Sequence, residues 1–347
     1  MKRFLTISLY LFSLLCGQNN VATTSAAFLE IGAGARSLGM GSAFVSVADD
    51  ASSIYWNPAG IVNVSQPEVQ TYYAPWLVET QFYYGTAVIP MGGLGSLGLT
   101  YTAVTMDEMM VRTVEDPEPN KYGQKFDAGN LSLGLAYAKR LTDRFSFGLQ
   151  TKFIQESIWQ MQAKGIAVDI GTLFITKSQL RIGMSVSNFG GKMGMEGINT
   201  LVDIDVDENI YGNNDRIDGY LDTGKWPLPL LFRFGLSKEL ALSLSQKLLL
   251  AVDAIHPNNN PEYLNIGLEY SLLDILFLRL GQSHAAYQQK FEDGDGKKYQ
   301  VGSEQAMSGG FGLKYQIPRG PKIKIDYVFT DFGVFNNVSG YSIGVSF

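Results

Sequence analysis

Ten charged residues fall on faces of alternating segments that are otherwise Gly and Ser: Lys152, Asp169, Arg181, Arg233, Asp253, Glu269, Arg279, Lys314, Lys324 and Asp326. Six are cations and four are anions, so the chemistry open to them is mutual pairing rather than the single-sign ring of an ion-selective pore. Glu30, Arg36, Asp49 and Asp50, near the chain start, are partners of both signs for this set. The two histidines, His256 and His284, sit in no Ser or carboxylate pattern that would build a nucleophile, so an enzyme is not expected. Asp203, Asp205 and Asp207 carry oxygens at alternate positions within an acidic stretch that continues through Asn209, Asp215 and Asp218. This allows calcium, but no register supplies both the Gly at position six and the Glu at position twelve of a calcium loop. No cofactor is therefore expected, with calcium at those three aspartates the one metal left open.

The elements that must position these residues are strands. Leu131, Leu133, Leu135 and Tyr137 alternate with Ser132, Gly134, Ala136 and Ala138, and Ile323, Ile325, Tyr327 and Phe329 alternate with Lys324, Asp326, Val328 and Thr330. A period of two sends the two sets to opposite faces of a strand. About fourteen such segments follow one another, at 66–76, 79–89, 94–106, 127–139, 144–158, 164–176, 179–190, 228–238, 246–256, 261–272, 274–284, 305–317, 321–332 and 338–347. Connections after the even-numbered segments are short, and those after the third, seventh and eleventh are long and polar. An even strand count with loops long on one side only predicts an all-β, antiparallel transmembrane barrel with both termini in the periplasm. A charge in its lipid face would cost about 2–4 kcal/mol near the midplane, so the ten charges should line the lumen. Glycines recur on the same inward face, among them Gly148, Gly171, Gly183, Gly267 and Gly281, which lets a second backbone come close.

Composition agrees with this reading. Net charge is −6 with only 17% charged residues, which argues against nucleic acid. The single cysteine, Cys16, allows neither an intrachain disulfide nor a thiolate metal cluster. Lys2 and Arg3 followed by the apolar run Phe4 to Leu15 predict a signal peptide over 1–26, cleaved after Gly17 or near Ala26. Residues 27–65 are then a separate unit, and 66–347 the barrel.

That unit is organised by Phe28 to Ile61, too rich in Gly and Ala for a core strand, with a short helix expected from Ala48 to Trp56 and a turn at Asn57-Pro58-Ala59-Gly60 in which Gly60 turns the chain left-handed. It is expected to fold as a plug inside the barrel. GARSLGMGSAFVSVADDASSIYWNPAG resembles the N-terminal motif of the PorV/PorQ family of outer-membrane proteins and, more distantly, the hatch of FadL-type transporters. On this motif the resemblance marks Arg36, Gly39, Met40, Gly41, Asp49, Asp50, Asn57, Pro58 and Gly60 as the hatch residues. QLRIGMSVSNFGGK, LLLAVDAIHP and the last segment, IKIDYVFTDFGVFNNVSGYSIGVSF, resemble later strands of the family. PorV resemblance implies a shuttle in type IX secretion of a Gram-negative, Bacteroidetes-like bacterium. Its partners would be outer-membrane lipid, secreted cargo bearing C-terminal signal domains, and other secretion components. FadL resemblance implies the alternative, a passive channel for long-chain fatty acids or other hydrophobic small molecules.

Overall fold

The computed structural model describes residues 23–114, 116–120, 122–205, 217–285, 289–292, 298–301 and 307–347. Fourteen strands form the wall: β1 (Glu68–Pro75), β2 (Gln81–Pro90), β3 (Ser96–Thr105), β4 (Ala128–Thr142), β5 (Phe145–Ile158), β6 (Met161–Ile175), β7 (Leu180–Gly190), β8 (Leu231–Ser243), β9 (Gln246–Pro257), β10 (Tyr263–Leu272), β11 (Leu276–Ala285), β12 (Met307–Gln316), β13 (Lys322–Asp331) and β14 (Asn337–Ser346). Each pairs antiparallel with the next, and β14 returns to β1 with Ser346 opposite Glu68, so the sheet has no free edge along its length. Leu97, Leu99 and Tyr101 on β3, Leu133, Leu135 and Tyr137 on β4, and Tyr341 and Ile343 on β14 are exposed on the outside. Such a continuous apolar belt is solvated by hydrocarbon rather than water.

The fourteen expected strands are the fourteen observed, with ends shifted by a few residues. The largest shift is in β8, which runs to Ser243 because it stays paired with β9 after its ladder with β7 has ended at Lys238 opposite Leu180. One end of the barrel carries short connections such as 143–144, 176–179 and 244–245, and the other carries 106–127, 191–230 and 286–306. The loop end also has one tight turn, Trp159-Gln160, between β5 and β6. The long loops hold short hairpins of their own, pairing Met109–Met110 with Lys125–Phe126, Leu201–Ile204 with Ile217–Tyr220, and Gln289–Glu292 with Lys298–Val301.

Residues 26–64 pack inside the ring, and most of their side chains are buried. They form the helices α1 (Ala35–Gly39) and α2 (Ser53–Trp56), with one 3-10 turn at Ala27–Glu30 and another at Pro58–Asn63. Two local expectations are corrected. The helix expected from Ala48 is reduced to Ser53–Trp56, because the Asp50 carboxylate accepts from the Ser52 N–H at 3.0 Å and makes a side-chain turn in place of a helical one. Gly60, expected to turn left-handed, has no positive φ. Its Cα is instead pressed against Ala48, whose carbonyl oxygen would lie 2.6 Å from an added Cβ.

Candidate functional site: the hatch and its charged seat

The hatch runs through the lumen from one end to the other. At the loop end the Ser25 N–H donates to the Pro227 carbonyl at 2.9 Å, and Asn259 donates to Thr24 Oγ1 and to Glu30 Oε2. At the turn end Arg140 donates to Asn63 Oδ1 at 2.8 Å. Phe347 also lies at the turn end, its N–H donating to Pro67. The first described residues and the C-terminus are thus at opposite ends of the barrel, and the N-terminus, whose periplasmic placement is expected, lies outside the described residues. The two ends are opposite because residues 23–63 traverse the lumen once before β1 begins. The expected signal peptide falls mostly on 1–22, outside the described residues, while Thr24, Ser25 and Ala26 are packed against the loop end.

Asn57 and Pro58 seat the hatch against β5 and β6. Asn57 is fully buried; its amide donates to the Val45 and Thr172 carbonyls, both at 2.9 Å, while its Oδ1 accepts from the Ala59 N–H at 3.1 Å. Pro58 and Ala59 lie directly over Gly148 and Gly171, where any side chain would overlap them. Met40 and Gly41 sit in the same way on Gly267 and Gly281 of β10 and β11. Gly39 faces the Arg279 side chain at ordinary contact distance. Apolar filling completes the seat, with Phe44, Trp56 and Tyr55 in edge-to-face contact and the Trp56 indole N–H donating to Ala33 at 2.9 Å.

Arg36, on α1, is the electrostatic centre. Its guanidinium forks onto Glu269 with two bonds of 2.9 Å, and contacts Asp49 at 2.6 Å and Asp50 at 3.1 Å. Arg279 continues the chain of charges, meeting Glu269 at 2.7 Å and Asp326 at 2.6 Å, and Arg181 holds Asp49 at 3.3 Å. The ten lumen charges divide by what they touch. Lys152 pairs with Asp169 at 2.9 Å and also bonds Asn188; Asp253 accepts the Val45 N–H at 2.9 Å; Arg233 stacks over Tyr55 and Trp56 and donates to Ser187. Lys324 pairs at 3.0 Å with Glu68, the first residue of β1, which also accepts from Ser346. Glu68 was absent from the residues picked out by sequence, although its inward parity on β1 was available as a signal. Lys314 has no ion pair among the described residues. A cavity of about 400 Å³ opens at the turn end beneath this network, lined by Arg36, Asp49, Arg181, Lys314, Lys324 and Asp326.

Burial by itself raises the Asp49 carboxyl, but Arg36 and then Arg181 outweigh it and hold its pKa at about 2, against 3.8 for the free side chain. A depressed carboxylate contributes stability above its unfolded pKa and loses it as pH falls through the folded one. The Asp49 contribution to hatch docking is therefore expected to vanish between about pH 4 and about pH 2. Amide protection factors over residues 35–60 should be level down to about pH 4 and fall below it; a fall centred above about pH 5 contradicts the assignment.

The other candidates are not drawn into this site. Asp203 lies opposite Asp218 in a loop hairpin, Asp205 follows it, and Asp207, Asn209 and Asp215 lie outside the described residues. Among the described residues no cluster of three or more His, Cys, Asp or Glu side chains is placed to hold a metal ion. His256 bonds Glu262 at 3.0 Å on the surface, and His284 stacks on Tyr263 with ring centroids 4.0 Å apart.

A closed fourteen-stranded barrel with an outward apolar belt defines a Gram-negative outer-membrane protein of the kind that carries a segment of its own chain in the lumen. A family model for the type IX secretion system protein PorV matches residues 16–197, just over half of the chain. The chain belongs to that family. Among solved structures it is similar in fold to the Pseudomonas putida toluene transporter TodX, at TM-score 0.53 and 12% identity, covering 90% of this chain and 96% of that one. The Ralstonia pickettii toluene transporter TbuX matches at TM-score 0.51 and 12% identity, covering 90% and 97%. A Pseudomonas aeruginosa FadL homologue matches at TM-score 0.48 and 10% identity, covering 95% and 99%. No curated protein sequence matches the chain.

Proposed function

We propose that this protein acts in type IX secretion as an outer-membrane, cargo-binding shuttle, receiving the C-terminal signal domain of secreted proteins on its long loops. The observation that carries the reading is the disposition of the hatch. It fills the lumen along its length and is locked at the turn end by Arg36, Asp49 and Glu269, while the strands joined by 106–127, 191–230 and 286–306 end at the opposite side. A barrel closed in this way offers a docking platform rather than a conduit, and its inward face of Gly, Ser and paired charge is a poor path for an apolar solute. Family membership supports the same reading, and the chemistry required is recognition, with no catalytic step.

One observation favours the alternative, a FadL-like passive channel for long-chain fatty acids or other hydrophobic compounds. Phe28 and Leu29 pack with Ile154, Ala163, Met193 and Leu228 in an apolar cluster close to the loop end, and the TodX and TbuX structures of similar fold are described as toluene transporters. A deletion strain of the native host, complemented with the wild-type gene, separates the two. Mass spectrometry of surface and medium should show a defined group of proteins retained in the periplasm, with uptake of labelled toluene and fatty acid unchanged. Intact secretion with reduced uptake of one compound would sink the shuttle reading.

A further inference from the structure

At the loop end, Lys164, Lys192 and Lys225 line one concavity of about 400 Å³ together with Gln162, Gly194 and Glu196. Three lysines lining one space bring like charges to it, which repel one another unless something negative lies between them. Among the described residues none of the three has an ion pair; the lysines that do are Lys125, Lys152, Lys247 and Lys324. Glu196, the one carboxylate lining the space, is in no ion pair with them.

The position of the concavity indicates what fills it. On β6, Ala163 and Ala167 are buried in the lumen cluster, so Gln162, Lys164 and Ile166 share the outer face. Ile166 is exposed and belongs to the lipid-facing belt, as does Phe189, opposite Val168 on the neighbouring β7. Lys164 is one pleat beyond Ile166 toward the loops, at the edge of the exposed apolar belt. Lys192 and Lys225 are held at this edge by their neighbours, since Met193 and Trp226 exchange main-chain hydrogen bonds of 2.9 and 2.8 Å. An adjoining concavity of about 430 Å³ shares Lys225 and Glu196 and adds Tyr220 and Thr223, which leaves room for a ligand much larger than a free phosphate ion.

We propose that Lys164, Lys192 and Lys225 form a clamp for the phosphate groups of an outer-leaflet lipid headgroup, whose acyl chains lie against Ile166 and Phe189. Each lysine acts as a point charge on phosphate oxygen. The interaction is independent of the secretion and transport readings above.

Native mass spectrometry of the full protein in neutral detergent tests it, with bisphosphorylated lipid A, the same lipid freed of phosphate, and inorganic phosphate as probes. The variant Lys164→Gln/Lys192→Gln/Lys225→Gln is expected to bind bisphosphorylated lipid A about a hundredfold more weakly than wild type, and each single variant about fivefold more weakly. The phosphate-free lipid should not distinguish wild type from variant, and inorganic phosphate in large excess should not displace the lipid. Heat-modifiable gel mobility reports whether each variant forms its barrel; if the triple variant does not, the Lys192→Gln and Lys225→Gln variants decide. Equal lipid affinity in wild type and variants overturns the clamp. Displacement by equimolar inorganic phosphate overturns the lipid assignment and makes this a free-anion site.

Discussion

Arg36→Ala is expected to release the hatch while the barrel stays closed. The guanidinium is shared among Asp49, Asp50 and Glu269, and deleting one member of a buried charge network leaves uncompensated charge at a cost of about 3–5 kcal/mol. Glu269 keeps Arg279, Asp49 keeps Arg181, and Asp50 keeps its bonds to Ser52, which places the loss near the lower end. Amide protection over residues 35–60 should drop roughly a hundredfold, while the strand ladders and heat-modifiable mobility stay as in wild type. Arg36→Lys keeps the charge but not the two-pronged contact with Glu269, and should fall between the two. Unchanged protection in Arg36→Ala would mean that apolar packing of Phe44 and Trp56, not charge, holds the hatch.

The second large effect is expected from Gly281→Val. A Cβ at this position overlaps the Gly41 nitrogen and the Met40 carbonyl carbon, and Gly41 itself, at φ +61, leans on the Gln282 backbone. Both sides of the contact are main chain, so no rotamer change relieves it, and the usual overpacking cost of about 1–3 kcal/mol is a lower bound. Exchange should rise over residues 38–46 first, with β10 and β11 still paired. Gly85→Ala is the control, because a Cβ there meets nothing nearer than the Tyr101 Cβ at 4.0 Å. If both variants exchange alike, the close approach of hatch and wall at Gly281 does not hold the hatch.

The two variants probe separate means of holding one element, and they bear on the proposed function. A shuttle needs its hatch closed whenever cargo is bound, so Arg36→Ala should impair barrier function before it impairs cargo recognition. A channel needs the hatch to move, so the same substitution should speed uptake.

What the sequence by itself determined was the strand pattern, which depends on nearest neighbours, whereas the local conformation of the hatch around Ala48 and Gly60 was not fixed at that level. Alternation of Leu131, Leu133 and Leu135 with Ser132, Gly134 and Ala136 is a local period, and it sufficed for the strand count, the faces and the inward direction of the ten charges. Glycines such as Gly148 and Gly281 announced a close approach, since a missing side chain on an inward face has few other uses. Tertiary structure alone decided the partners. Arg36 and Glu269 are 233 residues apart, and Lys324 on β13 reaches Glu68 across β14, on which β1 closes the barrel. Which inward charges face one another follows from the stagger of the closed sheet and the path of the hatch within it, and neither is written in any local pattern. The same holds for the hatch entering from the loop end, for Lys314 left without an ion pair among the described residues, and for Lys164, Lys192 and Lys225, which share one concavity because Glu196 and Gly197 pair with the start of β6 and Met193 bridges to Trp226.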